Sequence, residues 1–314
     1  MRPTLRQMQY LVAIADTGKF GEAAKLVNVS QPSLSAQVAE MEAALGVILV
    51  ERSRQGAMLT PAGEEFVRRV RLILKDVEDL KAVARFGRRE LSGRLRLGIL
   101  PTVGPYLLPF AVRDLHAQFP SLRLSVREER TIDLDEHLQS GAFDTIISTP
   151  EDHQGIDHAH LFTESLYICA PPEDPLSQAK GPVALADLKG RSLLTLGQGH
   201  RLNRIIRELA DASGADVSSE YEGTSLDAIR LMAEMGAGVA VLPSLYALSE
   251  ARRDRAINAR PIAHELAQRS VSLIWRDTSP LATSLEALVA PLAKAAASIL
   301  TQDGQRLGGK QARA

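Results

Sequence analysis

Cysteine is almost missing from this chain: Cys169 stands alone among 314 residues, so no disulfide can close within it. A chain of this length can rely on burial without staples, and such scarcity fits a reducing, cytoplasmic setting. Long apolar runs are missing too. Nowhere do 18 apolar residues follow one another, so no membrane partner is expected. The N-terminal stretch is interrupted by polar residues and Asp16, unlike a signal peptide. Neither a Walker loop, a GxSxG elbow nor an HExxH motif occurs, and the seven histidines lack metal-ligand spacing. Hence no catalytic residue, metal site or cofactor is expected. A strong net charge is also lacking: 37 basic and 38 acidic residues leave −1. They are unevenly spread, however. Residues 1–96 hold 16 basic and 11 acidic residues, and the remainder 21 and 27. A basic end and an acidic end point to nucleic acid for one and another task for the other.

What is present begins with helical signals. Leu5, Met8, Leu11, Val12 and Ala15 form an apolar stripe that stops at Gly18. A short helix follows from Phe20 to Leu26, then the turn Asn28-Val29-Ser30. Ser30 suits an N-cap, with Pro32 in the first turn. The next helix aligns Leu34, Val38, Met41 and Leu45 for burial. Gln31, Ser33, Ser35, Ala36, Gln37 and Glu40 lie away from that face. Such a short, polar surface suits a major groove, where Gln and Ser read base edges. Val47–Val50 and Met58–Thr60 read as a hairpin around residues 53–56, carrying Arg52 and Arg54 for phosphates. Three helices and a two-stranded wing make a winged helix-turn-helix at 1–60; a small helical domain that binds protein is the open alternative. The candidate DNA contacts are Ser30, Gln31, Pro32, Ser33, Ser35, Gln37, Arg52 and Arg54.

Thr60-Pro61 opens a further helix. Its residues Phe66, Val70, Ile73, Val77, Leu80 and Ala84 are spaced as a heptad seam, which predicts a dimerising linker over 61–91 ending in a polar hinge. Packing of the seam on its own chain is the other reading. From Gly93 onward strands and helices alternate: strands at 95–100, 122–128, 144–148, 164–170, 192–196, 217–222, 239–242, 257–261 and 270–275. Helices are expected over 105–119, 133–140, 202–213, 225–235 and from 281. This order predicts an α/β effector domain over 92–300, with a parallel sheet, two lobes and a cleft between them. Residues 301–314, Gly-rich and basic, are expected to form a loose tail.

Met8-Gln9-Tyr10-Leu11-Val12, Phe20-Gly21-Glu22-Ala23-Ala24, Val29-Ser30-Gln31-Pro32-Ser33-Leu34-Ser35, Leu45-Gly46-Val47, Glu51-Arg52 and Leu59-Thr60-Pro61-Ala62-Gly63 together resemble the reading head of LysR-type transcriptional regulators. Residues 98–109, Gly199-His200, Thr224-Ser225-Leu226, Gly236-Ala237-Gly238 and Leu242-Pro243 resemble the peroxide-sensing OxyR branch. The resemblance implies a homodimer or homotetramer on double-stranded promoter DNA, with RNA polymerase as a partner. It also implies a two-subdomain, periplasmic-binding-protein-like (type 2) effector domain that the chain crosses between twice. Activation with autorepression is the family's common mode.

One departure matters. Where that branch carries its peroxide-reactive and resolving cysteines, this chain has Arg201 and Ala210, and neither can form a sulfenic acid or a disulfide. Arg201 at the start of a predicted helix favours a small anion instead, a carboxylate or another anion. Thr102, Thr131, His200 and Ser225 are the other candidate effector residues. The alternative places Arg201 on the surface beside a carboxylate. Rival functions are a constitutive or cysteine-independent oxidative-stress regulator, a solute-binding protein, or an enzyme. The solute-binding reading leaves the reading head unexplained; the enzyme reading lacks a motif.

Overall fold

The computed structural model describes residues 3–53, 56–86, 91, 93–223, 225–253 and 259–309, with backbone alone for 52–53, 78–79, 81–86, 220–221, 251–253 and 302–309. It divides into two compact units, Met1–Arg88 with Gln139–Ala142, and Arg89–Leu138 with Phe143–Ala314.

In the first unit α1 spans Leu5–Thr17, α2 Phe20–Leu26 and α3 Gln31–Leu45. Thr4 and Gln7 form a capping box at the start of α1, each satisfying a backbone donor that the helix leaves over. That use of Gln7 rotates the buried face from the expected one. Gln7, Tyr10, Leu11 and Ile14 are inside, whereas Leu5 is exposed and Met8 half-buried. Ser30 caps α3, its hydroxyl accepting the Ser33 N–H at 3.3 Å. Leu34, Val38 and Met41 enter the core as expected, but Leu45 is exposed at the helix end beside Gly46. Strands β1 (Val50–Ser53) and β2 (Gly56–Leu59) pair antiparallel from Val50↔Leu59 to Ser53↔Gly56. The first strand thus begins later than expected, because Glu42 Oε1 accepts the N–H groups of Leu49 (2.7 Å) and Val50 (2.9 Å) and fixes the approach. α4 runs Pro61–Phe86. Its Thr60 cap accepts the Gly63 N–H at 3.0 Å. A Cβ on Gly63 would lie 2.1 Å from the Leu49 carbonyl oxygen, so only glycine lets α4 start this close to the hairpin.

The second unit contains β3 (Gly93–Ile99), α5 (Gly104–Gln118), β4 (Leu122–Glu128), α6 (Thr131–Gln139), β5 (Thr145–Ser148), β6 (Ile156–Cys169), α7 (Pro175–Gln178), β7 (Ser192–Leu196), α8 (Arg201–Ser213), β8 (Asp216–Gly223), α9 (Leu226–Glu234), β9 (Val239–Pro243), α10 (Ser244–Arg253), β10 (Ala259–Pro261), β11 (Gln268–Arg276), α11 (Ala282–Leu285) and α12 (Val289–Gly309). Strand order is β4-β3-β5-β11-β6-β9-β7-β8, with β10 on β6. Two apolar cores result. Lobe I centres on Leu97, Ile99, Leu134, Phe143, Ile146 and Leu273. Lobe II centres on Ile168, Leu194, Ile206, Ile229 and Val241. β6 contributes to both, and β11 pairs with it throughout, with one register shift at Val271/Ser272.

Four expectations need correction. The sheet is mixed rather than parallel: β3 is parallel to β4 and β5, and β7 to β8 and β9, but β6 and β11 run antiparallel to their neighbours. The first half of β6, Ile156 to Thr163, lies outside the expected strands: Asp157, His158 and His160 break its apolar alternation, and it pairs with β11. α10 was absent from the expected elements, although Leu245, Tyr246 and Ala247 are fully buried. Residues 301–309, expected as loose tail, continue α12, while 310–314 lie outside the described residues.

Candidate functional site

The first unit presents the start of α3. Ser30, Gln31, Pro32 and Ser33 are exposed, and Ser35 and Gln37 half-buried. Gln37 Nε2 donates to Glu40 Oε2 at 3.1 Å. Gln31 stands over Gly21 of α2, where a Cβ would come within 3.4 Å of its Oε1. The α2–α3 turn carries Asn28 at φ 55°, a left-handed conformation that asparagine tolerates. Side chains without large bulk therefore lead α3 outward, the geometry a groove-reading helix needs. Arg54 and the Arg52 side chain, the expected phosphate contacts, lie outside the described residues.

In the second unit four of the five expected effector residues converge where the lobes meet. Thr131 opens α6 of lobe I and Arg201 opens α8 of lobe II. Thr131 Oγ1 accepts the Arg201 backbone N–H at 3.2 Å. The approach is close: a Cβ on Gly199, which holds φ +87°, would stand 3.4 Å from Ile132 and 3.5 Å from Arg130. Arg201 Nη1 donates to Asp152 Oδ1 at 2.7 Å, and Arg204 Nη2 to the same oxygen at 2.9 Å. Asp152 ends a 3₁₀ turn, Pro150–Asp152, that follows β5. Its carboxyl is buried, and burial pushes it above the usual range; Arg204, His153 and Arg269 pull it back, while Glu151 adds to the rise. His200, half-buried, is held below its ordinary value by loss of water and by Arg130.

Thr102 joins through residues the sequence reading missed. It is buried, and its Oγ1 accepts from Arg269 Nη2 at 2.9 Å. Arg269 Nε also donates to Glu164 Oε1 at 2.7 Å, and Glu164 Oε2 accepts the Leu245 N–H at 3.1 Å. Glu164 and Arg269 are direct register partners on β6 and β11. A glutamate in LFTESLYICA and an arginine heading SVSLIW were the available signals, since a charge in an apolar strand needs a partner. Ser225 stands apart: it is exposed, and its hydroxyl caps α9 by accepting the Ala228 N–H at 3.2 Å.

Three buried polar atoms around Asp152 have no hydrogen-bond partner: Asp152 Oδ2, Arg201 Nε and Thr149 Oγ1. Unpaired groups of this kind are costly unless something fills the gap. Cys169 is remote from this chemistry. It is buried in lobe II, and burial, reinforced by Glu234, pushes its thiol up to about 11, so little reactive thiolate exists at neutral pH. No group of metal-ligating side chains occurs among the described residues.

Residues 5–64 match the family described as bacterial regulatory helix-turn-helix protein, lysR family, and residues 88–297 the LysR substrate binding domain. The DNA-binding transcriptional dual regulator OxyR of Escherichia coli (strain K12) is 35% identical over 285 residues, covering 90% of this chain and 93% of that protein. A full-length OxyR variant from Pseudomonas aeruginosa superposes with a TM-score of 0.75 at 32% identity, covering 93% of this chain and 98% of that one. CbnR complexed with its target DNA gives a TM-score of 0.53 at 26% identity, covering 92% and 99%.

Proposed function

The chain belongs to the LysR family of DNA-binding transcriptional regulators, and from that premise we propose that it is an anion-responsive member whose switch works without a cysteine pair. Arg201 carries this reading. It stands at the N-terminus of α8, where helix N–H groups favour negative charge, and keeps one guanidinium N–H buried and unsatisfied. Thr131 and His200 flank it, and Thr102 is linked through Arg269. Ser225 serves the site only indirectly, by starting α9. The effector is a small carboxylate or similar anion. Seating it changes how the lobes close, and that shift reaches the reading heads. A thermal-shift titration of the full chain tests this. At about a hundred times its dissociation constant the effector adds roughly 2.7 kcal/mol, and Arg201→Ala abolishes the shift. A full response in Arg201→Ala would sink the role given to Arg201.

On DNA, the exposed start of α3 reads bases in the major groove through Gln31 and Ser33, with Ser30, Pro32, Ser35 and Gln37 setting its position. Arg52 and Arg54 hold phosphates. Replacing Gln31 by Ala should cost roughly 1–3 kcal/mol of discrimination at one base position, whereas Arg54→Ala should weaken all sequences alike and flatten the salt dependence. Competition binding across an operator library separates the two. The protein works in the cytoplasm as a homo-oligomer that joins through α4, whose seam residues Ile73 (42% exposed) and Leu80 (67%) are uncovered. Phe110 on α5, Leu231 on α9 and Met235 just after α9 are further exposed apolar side chains that a tetramer would cover. The OxyR relative is named a dual regulator; we assign activation through RNA polymerase, with autorepression, to this chain.

A further inference from the structure

Arg201 and Arg204 lie one helical turn apart on α8, and both direct a guanidinium to one oxygen of Asp152. The carboxylate comes from lobe I and the guanidinium groups from lobe II. We propose that Asp152 is an internal counter-ion occupying the effector's place, so that a carboxylate ligand binds by displacing it from Arg201 and in doing so unfastens the two lobes. This inference rests on the anion reading above and names what regulates that site.

The contact geometry carries the argument. A guanidinium and a carboxylate pair best as a fork, with two parallel N–H donors on two oxygens. Arg130 achieves this with Asp133, through Nε at 2.7 Å and Nη2 at 3.0 Å on separate oxygens. Arg201 does not. Only its Nη1 reaches Asp152, leaving Nε and Asp152 Oδ2 both buried and unpartnered. The backbone explains why. Asp152 is anchored by its N–H to the Thr149 carbonyl at 3.2 Å. The next residue, His153, has no exposed side-chain surface and lies 2.9 Å from Asp135 Oδ1 and 2.9 Å from Ser148 Oγ. Asp152 is thus held by its backbone and presented end-on, with Oδ1 taking both guanidinium donors and Oδ2 none. An untethered carboxylate has no such restraint and gains the Nε bond that Asp152 forgoes. Arg204 is half exposed and stands 3.8 Å from Glu208, so it is a partial second donor and Arg201 the discriminating one. When Asp152 lets go, the bond from the Arg201 N–H to Thr131 Oγ1 still ties α8 to α6.

The test titrates the full-length protein with acetate, against chloride at equal ionic strength, by calorimetry. Asp152→Asn is expected to bind acetate at least tenfold more tightly than the unaltered protein, and Asp152→Asn with Arg201→Ala to lose that gain. Asp152→Ser serves equally if the asparagine variant folds poorly. Amide exchange at Arg201, whose N–H spans the lobes, should speed up in Asp152→Asn and, on adding acetate, in the unaltered protein. Equal acetate affinity with and without Asp152 would overturn the counter-ion while leaving the anion reading standing. Absence of binding in every variant would overturn both.

Discussion

Two of the carboxylate–guanidinium sites in the second unit, Glu164 with Arg269 and Asp152 with Arg201 and Arg204, differ in completeness. Glu164 and Arg269 are about 1% exposed or less; Thr102, Ser244 and the Leu245 N–H take up their remaining capacity. Asp152, Arg201 and Arg204 have the same chemistry but leave a donor and an acceptor idle. A finished network fixes structure, because any change strands a buried charge. An unfinished one has room for something to arrive. Charge alone would not separate the two sites; hydrogen-bond satisfaction does, together with the greater exposure of Arg201 and Arg204.

The contrast can be broken from its stronger side first. Glu164→Gln leaves Arg269 charged and dry, and should cost about 3–5 kcal/mol of stability in urea unfolding. Glu164→Leu with Arg269→Met should recover much of that loss, since apolar residues of similar volume need no partner. Asp152→Asn should cost far less, about 1 kcal/mol, because water reaches Arg204. A loss matching that of Glu164→Gln would erase the distinction between the sites. Ser225→Ala should cost about 0.5–1 kcal/mol, with Ser225→Gly within a few tenths of the parent and acetate binding unchanged in both; a changed affinity would return Ser225 to the site. The smallest effect is expected from pH. Folding holds His200 below its ordinary 6.5, so the unfolded chain takes up the proton first. That contribution is fully present above 6.5 and is lost as pH falls toward the folded value. His200→Asn should flatten stability across that window, measured by urea midpoints at successive pH values.

How much of this the sequence discloses depends on the range of the cause. Ser30, Gly46, Thr60 and Pro61 act on their own helix ends, so those ends are legible, whereas the rotation of α1, the late start of β1 and the exposure of Leu45 are not. Arg201 is legible because a helix start can be found, whereas Thr131 falls outside the helix expected over 133–140 and instead opens α6. Asp152 is not legible, since its place follows from a three-residue turn without periodicity. Glu164 and Arg269 are 105 positions apart, and only strand register brings them together.

The register shift between β6 and β11 has a consequence of its own. Pairs up to Val271↔Phe162 and from Ser272↔His160 leave Leu161 without an opposite number. Strand residues face alternate sides, so one supernumerary residue changes parity. Leu161 and Phe162 are accordingly buried in succession, and from Phe162 on the even positions Glu164, Leu166 and Ile168 point inward. A single strand thereby changes phase midway and serves two cores that would otherwise demand opposite faces. Deleting Leu161 would take one side chain from the core and set half the strand out of step with its partner.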